Sequence, residues 1–196
     1  MQLALFDFDG TISQRDSLLH FLMCSFKPQK LLVAGILLSP YLLGYLAGLV
    51  NNQKAKEKVL KYFFKNWPLE KFQNLANEYA EQYLNHLIRP QALEKIRWHQ
   101  AQGHRVIVVS ASIESYLGPW CLLHNCEYVC SRIAVDEQHR LTGDLSSANC
   151  YGPEKAKRIQ ALLTLSDYTK VYAYGDSKGD REMLDLADEA HYKPFH

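Results

Sequence analysis

The chain has 196 residues, 47% hydrophobic and 22% charged, with a formal net charge of +1. That length admits one large domain, or a core domain with a smaller companion. The balanced charge supplies no basic surface for a nucleic-acid partner, and the five cysteines, odd in number and without a CxxC pair, supply neither a disulfide framework nor zinc-site spacing.

The start, Met1-Gln2 and then a strand-like run, lacks the charged-then-apolar order of a secretory signal, so a reducing, cytoplasmic setting is expected. The first strand is predicted at about residues 2–7, within LALFDFDGTIS. Asp7 and Asp9 fall where that buried strand should end, and carboxylates are costly there unless positive charge meets them.

From about 16 to 88 the pattern is helical throughout. Leu18, Leu19, Phe21 and Leu22 begin one helix, which Pro28 limits. Residues 31–50, LLVAGILLSPYLLGYLAGLV, carry no charge. Such a run is long enough to cross a bilayer, and a kinked membrane helix tolerates Pro40. The alternative is two shorter apolar helices breaking near Ser39-Pro40, buried in a helical subdomain or resting on a membrane surface. NNQKAKEKVLKYFFK reads as a helix with Asn at a cap position, and Pro68 opens another.

After Pro90 the rhythm changes. QALEKIRWHQAQG is a helix closed by Gly103. RVIVVS, residues 105–110, is a buried parallel strand, and a helix follows near 113–125. Tyr128 to Val135 is predicted to pair with Arg140 to Thr142 as a hairpin. A helix from Pro153, a strand in KVYAYGD, a helix in KGDREMLDLA and a short strand in EAHY complete the chain. Alternating strands and helices imply an α/β fold, a Rossmann-like parallel sheet core with an inserted all-helical cap subdomain. The boundaries read as 1–15 plus 89–196 for the core and 16–88 for the cap.

Ligands of an open α/β sheet bind beyond the carboxyl ends of its strands. Those ends carry Asp7 and Asp9, Ser110, and Asp176 with Asp180 beyond it; Lys155 starts the helix before the Asp176 strand, with Lys157 a nearby alternative. Carboxylates gathered there need a cation, and oxygen-only ligands suit Mg²⁺ held with a substrate phosphate. These parts suit phosphoryl transfer through a carboxylate nucleophile.

DFDGT, VIVVSAS, the lysine of YGPEKAKRI and GDSKGD resemble, in order, the four motifs of the haloacid dehalogenase (HAD) superfamily of aspartyl-nucleophile phosphatases. The helical insertion resembles the cap of its subfamily IB, which contains phosphoserine phosphatases. The resemblance implies that Asp7 is the nucleophile and Asp9 the general acid/base. It implies Mg²⁺ on the Asp7 carboxylate, the Asp9 backbone carbonyl and Asp176, with Asp180 supporting the metal or Lys155. Ser110 and Lys155 would bind phosphate, the turn at Gly10 and Thr11 would aim amides at it, and Ala111 and Asp16 would line the substrate site.

The substrate reading is less defined. Phosphoserine phosphatases have Glu where this chain has Asp16, Ser-Gly-Gly where it has Ser110-Ala111-Ser112, Asn where it has Gly179, and a cap arginine whose place falls near Lys58 or Leu60. The expected substrate is a small phosphorylated metabolite. A lipid phosphate is the alternative, because relatives similar in GHRVIVVSAS include phosphatidylglycerophosphatase C and residues 31–50 could contact a membrane peripherally. A phospho-acceptor signalling module is the reading from another class; Asp9, which would promote hydrolysis, and the large cap argue against it.

Overall fold

The computed structural model describes residues 1–196. β1 (Gln2–Phe6) is central in a five-stranded sheet. Beside it lie β2 (Arg105–Ile113) and then β3 (Glu127–Ser131). β4 (Ile133–Val135) and β5 (Leu141–Leu145) form a separate antiparallel pair. On the other side of β1 lie β6 (Lys170–Gly175) and β7 (Glu189–Tyr192). The order β3-β2-β1-β6-β7 is parallel throughout, which is the expected α/β class.

The period-two alternation of β1 divides the core. Ala4 and Phe6 join a large apolar cluster on one face, while Leu3 and Leu5 pack with Ile107, Val109 and Ala173 on the other.

Between β1 and β2 stand α1 (Ser17–Ser25), α2 (Pro28–Leu46), α3 (Asn52–Phe64) and α4 (Leu69–Gln82). Phe21 of α1 meets Phe64, Phe72 and Tyr79 at ring separations of 5.0–6.0 Å. After α5 (Pro90–Ala101) and β2 comes α6 (Glu114–Leu123), whose Tyr116 is 5.3 Å from the Phe21 ring. The inserted helices therefore share one apolar cluster with the sheet face rather than hanging from it. α7 (Pro153–Leu162) and α8 (Arg181–Leu184) flank β6.

Two local expectations are corrected. The run 128–135 is not one arm of a hairpin: its first half enters the main sheet as β3 beside β2, and only Ile133–Val135 pairs with β5. The β3 partners, Val108 and Val109, lie too far along the chain for a local pattern to reveal. The apolar run does not break at Ser39-Pro40 either, because α2 continues through both. Proline removes the amide that would bond the Ile36 carbonyl, and the Ser39 hydroxyl donates to that carbonyl instead, at 2.8 Å.

Candidate active site

The register of the sheet builds the site. Phe6 lies level with Val108 on one side and Tyr174 on the other, so Asp7 and Asp176, just past the ends of β1 and β6, come to nearly the same height as Ser110 within β2. The Asp7 amide donates to the Tyr174 carbonyl at 2.9 Å, extending the ladder one residue into the site.

Lys155, near the start of α7, is 2% exposed and is the positive charge that the strand-end acids require. Its Nζ donates to Asp7 Oδ1 at 2.5 Å and to Asp180 Oδ1 at 2.6 Å. Burial alone would lower the lysine pKa, but the two carboxylates outweigh it and hold the ammonium charged. Lys157, the alternative, is 78% exposed and paired with Glu154 on the helix surface.

Asp180 is fixed by its neighbours: its Oδ2 accepts from the Ser177 hydroxyl at 2.8 Å and from the Ser177 and Asp176 amides at 3.0 and 3.2 Å. Burial pushes its pKa up, and Lys155 with these donors more than reverses the push. Asp176 accepts from the Thr11 hydroxyl at 3.3 Å. Thr11 thus orients an acid. Gly10 has φ +86°, and a Cβ there would collide with the Asp176 carboxylate, so glycine is required for both conformation and space.

Asp7, Asp176 and Asp180 offer carboxylate oxygens within 4.8 Å of one another. One lysine cannot neutralise three acids. Burial, partly offset by Lys155 and reinforced by Asp180, pushes the Asp7 pKa up to about 7, and burial with Asp180 pushes Asp176 up as well. An all-oxygen pocket with surplus negative charge fits a divalent cation of the hard class.

The Asp9 carboxylate is absent from that trio. It accepts from the Ser17 amide at 2.8 Å and from the Ser112 hydroxyl. Burial raises its pKa, with Asp16 adding to the rise and the hydroxyl and amide donors opposing it. Ser110 is buried, and its Oγ accepts from the Ser112 amide at 3.0 Å, so it also orders the strand end. Asp16 caps α1, accepting from the Leu19 amide at 2.7 Å, and its side chain is exposed. Ala111 contributes its carbonyl, which accepts from Lys56 Nζ at 2.7 Å.

Lys56 is one residue that sequence reasoning missed. It projects from α3, also reaches Asn149 Oδ1 at 3.3 Å, and places its charge near Asp9 and Asp16. Lys58, nearer the expected cap position, instead lies 4.8 Å from the Tyr41 ring centroid. A signal existed: Lys56 precedes Leu60 by four and Phe63 by seven, on the inward stripe of its helix. Ser17 and Ser112 were also missed.

Acids and a buried lysine gather at the carboxyl ends of a parallel sheet, beneath inserted helices, as in an α/β enzyme core. The chain matches the family described as haloacid dehalogenase-like hydrolase over residues 4–185, and it belongs to that family. It is 32% identical over 195 residues to Protein CicA of Caulobacter vibrioides, covering 98% of this chain and 86% of that one. It is 29% identical over 192 residues to the probable phosphatase Rv3661 of Mycobacterium tuberculosis, covering 95% and 67%. Among solved structures, a substrate-bound phosphoserine phosphatase superposes with a TM-score of 0.69 at 19% identity, over 97% of this chain and 84% of that one.

Proposed function

We propose that the protein is a Mg²⁺-dependent phosphomonoester hydrolase of the subfamily IB type, working through an aspartyl-phosphate on Asp7. The observation that carries this reading is the pairing of buried Asp7 with Lys155 beside Asp176 and Asp180, while Asp9 stands apart among hydroxyl and amide donors. The similarity to a probable phosphatase and to the phosphoserine phosphatase fold agrees with it.

Asp7 Oδ attacks phosphorus, the bond to the ester oxygen breaks, and that oxygen takes a proton from Asp9. Asp9, now a carboxylate, accepts a proton from water; the water oxygen attacks phosphorus and the bond to Asp7 breaks, releasing phosphate. The raised Asp9 pKa suits a group that must hold a proton before the first step. Lys155 and the Ser110 hydroxyl hold the phosphate oxygens, and Gly10 and Thr11 shape the turn beneath them. Asp7, Asp176 and the Asp9 carbonyl would hold the cation, with Asp180 behind them. Bound there, Mg²⁺ supplies charge neutralisation between carboxylate and phosphate.

The helices of residues 16–88 serve as the cap, and Asp16, Ala111 and Lys56 face the substrate's organic part. That part is a small phosphorylated metabolite in the first reading. The exposed apolar surface of α2 favours a second, a membrane-associated lipid phosphate. Five free cysteines, four of them buried, agree with a reducing, cytoplasmic setting.

Hydrolysis of an aryl phosphate by the purified protein tests the chemistry. Activity is expected with Mg²⁺, to be lost in EDTA, and to be lost in Asp7→Asn; full activity in Asp7→Asn would overturn the nucleophile.

A further inference from the structure

Helix α2 takes no part in the hydrolytic chemistry, yet it is the least water-compatible segment of the chain. An 18-residue window of it has mean hydropathy 1.3 with only 11% of its residues buried. Ala34 and Leu38 pack inward, while Leu32, Ile36, Leu37, Leu43 and Leu46 are each at least 57% exposed. Soluble surfaces rarely carry so continuous an apolar stretch. A helix apolar around its circumference needs apolar surroundings on both sides, and the cap supplies only one.

The neighbours of α2 exclude a span in this fold. Phe21 of α1 and Phe64 of α3 are 5.7 Å apart, and Phe26 lies 4.8 Å from Phe63. A spanning helix of this length would hold its ends about 28 Å apart on opposite faces of a bilayer and pull that shared core open. A helix tethered at both ends to one core can only lie along a surface.

Charge identifies the surface. From Ser17 to Lys56, 40 residues, there is no Asp or Glu. Lys27 and Lys30 open α2, and near its far end Lys54, Lys58 and Lys61 line a cavity with Tyr41, Val50 and a single acid, Glu57. Two copies joined along α2 would bring these lysines together, whereas anionic lipid headgroups would complement them. The Ser39 hydroxyl on the Ile36 carbonyl fits the same surroundings, since a carbonyl freed by proline needs a protein partner where water is absent.

Behind α2, a cavity of about 420 Å³ runs among α1, α2 and α3; ten of its twelve lining residues are apolar, Leu22, Leu38 and Phe63 among them. Asp16 also lines it, and the next residue, Ser17, gives its amide to Asp9.

We propose that α2 docks in the plane of an anionic bilayer, its outer face among the acyl chains and its flanking lysines on the headgroups, so that the site acts on a phosphomonoester carried by the membrane. The substrate half of this proposal rests on the hydrolase reading above; the docking half does not.

The test is flotation of the full chain with vesicles of phosphatidylcholine, with and without phosphatidylserine, alongside aryl phosphate hydrolysis in solution. The protein is expected to float with the anionic vesicles, about tenfold less with neutral ones, and to be released by high salt. Ile36→Glu/Leu43→Glu, at two exposed positions, is expected to lose flotation while keeping aryl phosphatase activity. Wild type that hydrolyses the aryl phosphate yet stays soluble overturns docking and leaves the hydrolase reading intact; wild type that floats without hydrolysing has the reverse meaning. Equal flotation on both vesicles, or unaltered flotation of the double variant, overturns the docking surface described. A soluble dimer that the double variant splits also overturns it, in favour of a second copy.

Discussion

Asp7 and Asp9 differ by two positions and by almost everything around them. Asp7 is 5% exposed, carries the Lys155 ammonium, and shares its pocket with two more carboxylates. Asp9 meets a hydroxyl and an amide, with no cation bonded to it. The chain leaves the strand after Phe6 and winds over Phe8–Ile12, so Asp9 no longer follows the strand, and Gly10, at φ +86°, continues that turn while its missing Cβ lets the Asp176 carboxylate approach. Identical side chains thus acquire unlike surroundings: burial raises the pKa of both, but Asp7 sits against an ammonium and two further carboxylates while Asp9 sits among neutral donors.

The largest expected effect that separates the two is on leaving-group dependence. Asp9→Asn should lower turnover of an alkyl phosphate by about 10²–10⁴-fold, the usual worth of a positioned acid/base. Its effect on formation of the phosphoenzyme from p-nitrophenyl phosphate should be much smaller, since that leaving oxygen needs little proton help. Asp7→Asn should abolish reaction with both esters. Rapid-quench measurement of the two esters decides the matter, and equal losses in Asp9→Asn would erase the distinction.

The second effect is on stability without metal. Burial places the Asp7 pKa at about 7 in the folded chain against 3.8 for the free group. The folded state therefore holds more protons than the unfolded one between about pH 4 and pH 7, and stability falls as pH rises across that window. Asp176, shifted upward as well, adds to the slope. In EDTA at pH 8, Asp7→Asn should melt above wild type by roughly 5 °C, a gain on the order of 2 kcal/mol, and the gap should close near pH 4. Mg²⁺ should raise the wild-type melting point more than that of the variant. A gap independent of pH would remove electrostatic crowding as the cause.

Much of this was legible in the residues. The acids, the glycine turn and Lys155 each fall at a strand or helix end that local patterning identifies, while the strand expected to end at Ser110 continues to Ile113; a parallel sheet brings such ends together. The caps were legible too: Asn51 accepts the Lys54 amide at 2.8 Å, and Gly103, at φ +70°, follows α5. What escaped depends on tertiary contact. β3 pairs with residues some twenty positions away, and Ser112 meets Asp9 across 103 residues. Lys56 escaped for a related reason, since its partners, Ala111 on β2 and Asn149 beyond β5, lie far along the chain from α3.

Lys56 gives the smallest and most selective expected effect, because the acids it acts on are Asp9 and Asp16 rather than Asp7. Burial lowers its pKa, while Asp9 and Asp16 act to keep it charged. By reciprocity its charge favours the Asp9 carboxylate, so Lys56→Met should raise the Asp9 pKa and move the pH–rate limb governed by that group upward. The same variant should raise KM for substrates with an anionic organic part by about tenfold, with kcat changed far less, as expected for binding that is equal in ground and transition states. Lys56→Arg should restore KM in part, whereas a merely structural lysine would lower the melting point without moving either the pH limb or the KM of anionic against neutral esters. A unchanged pH limb in Lys56→Met would detach the lysine from Asp9 and leave Ser17 and Ser112 as the groups that set its chemistry.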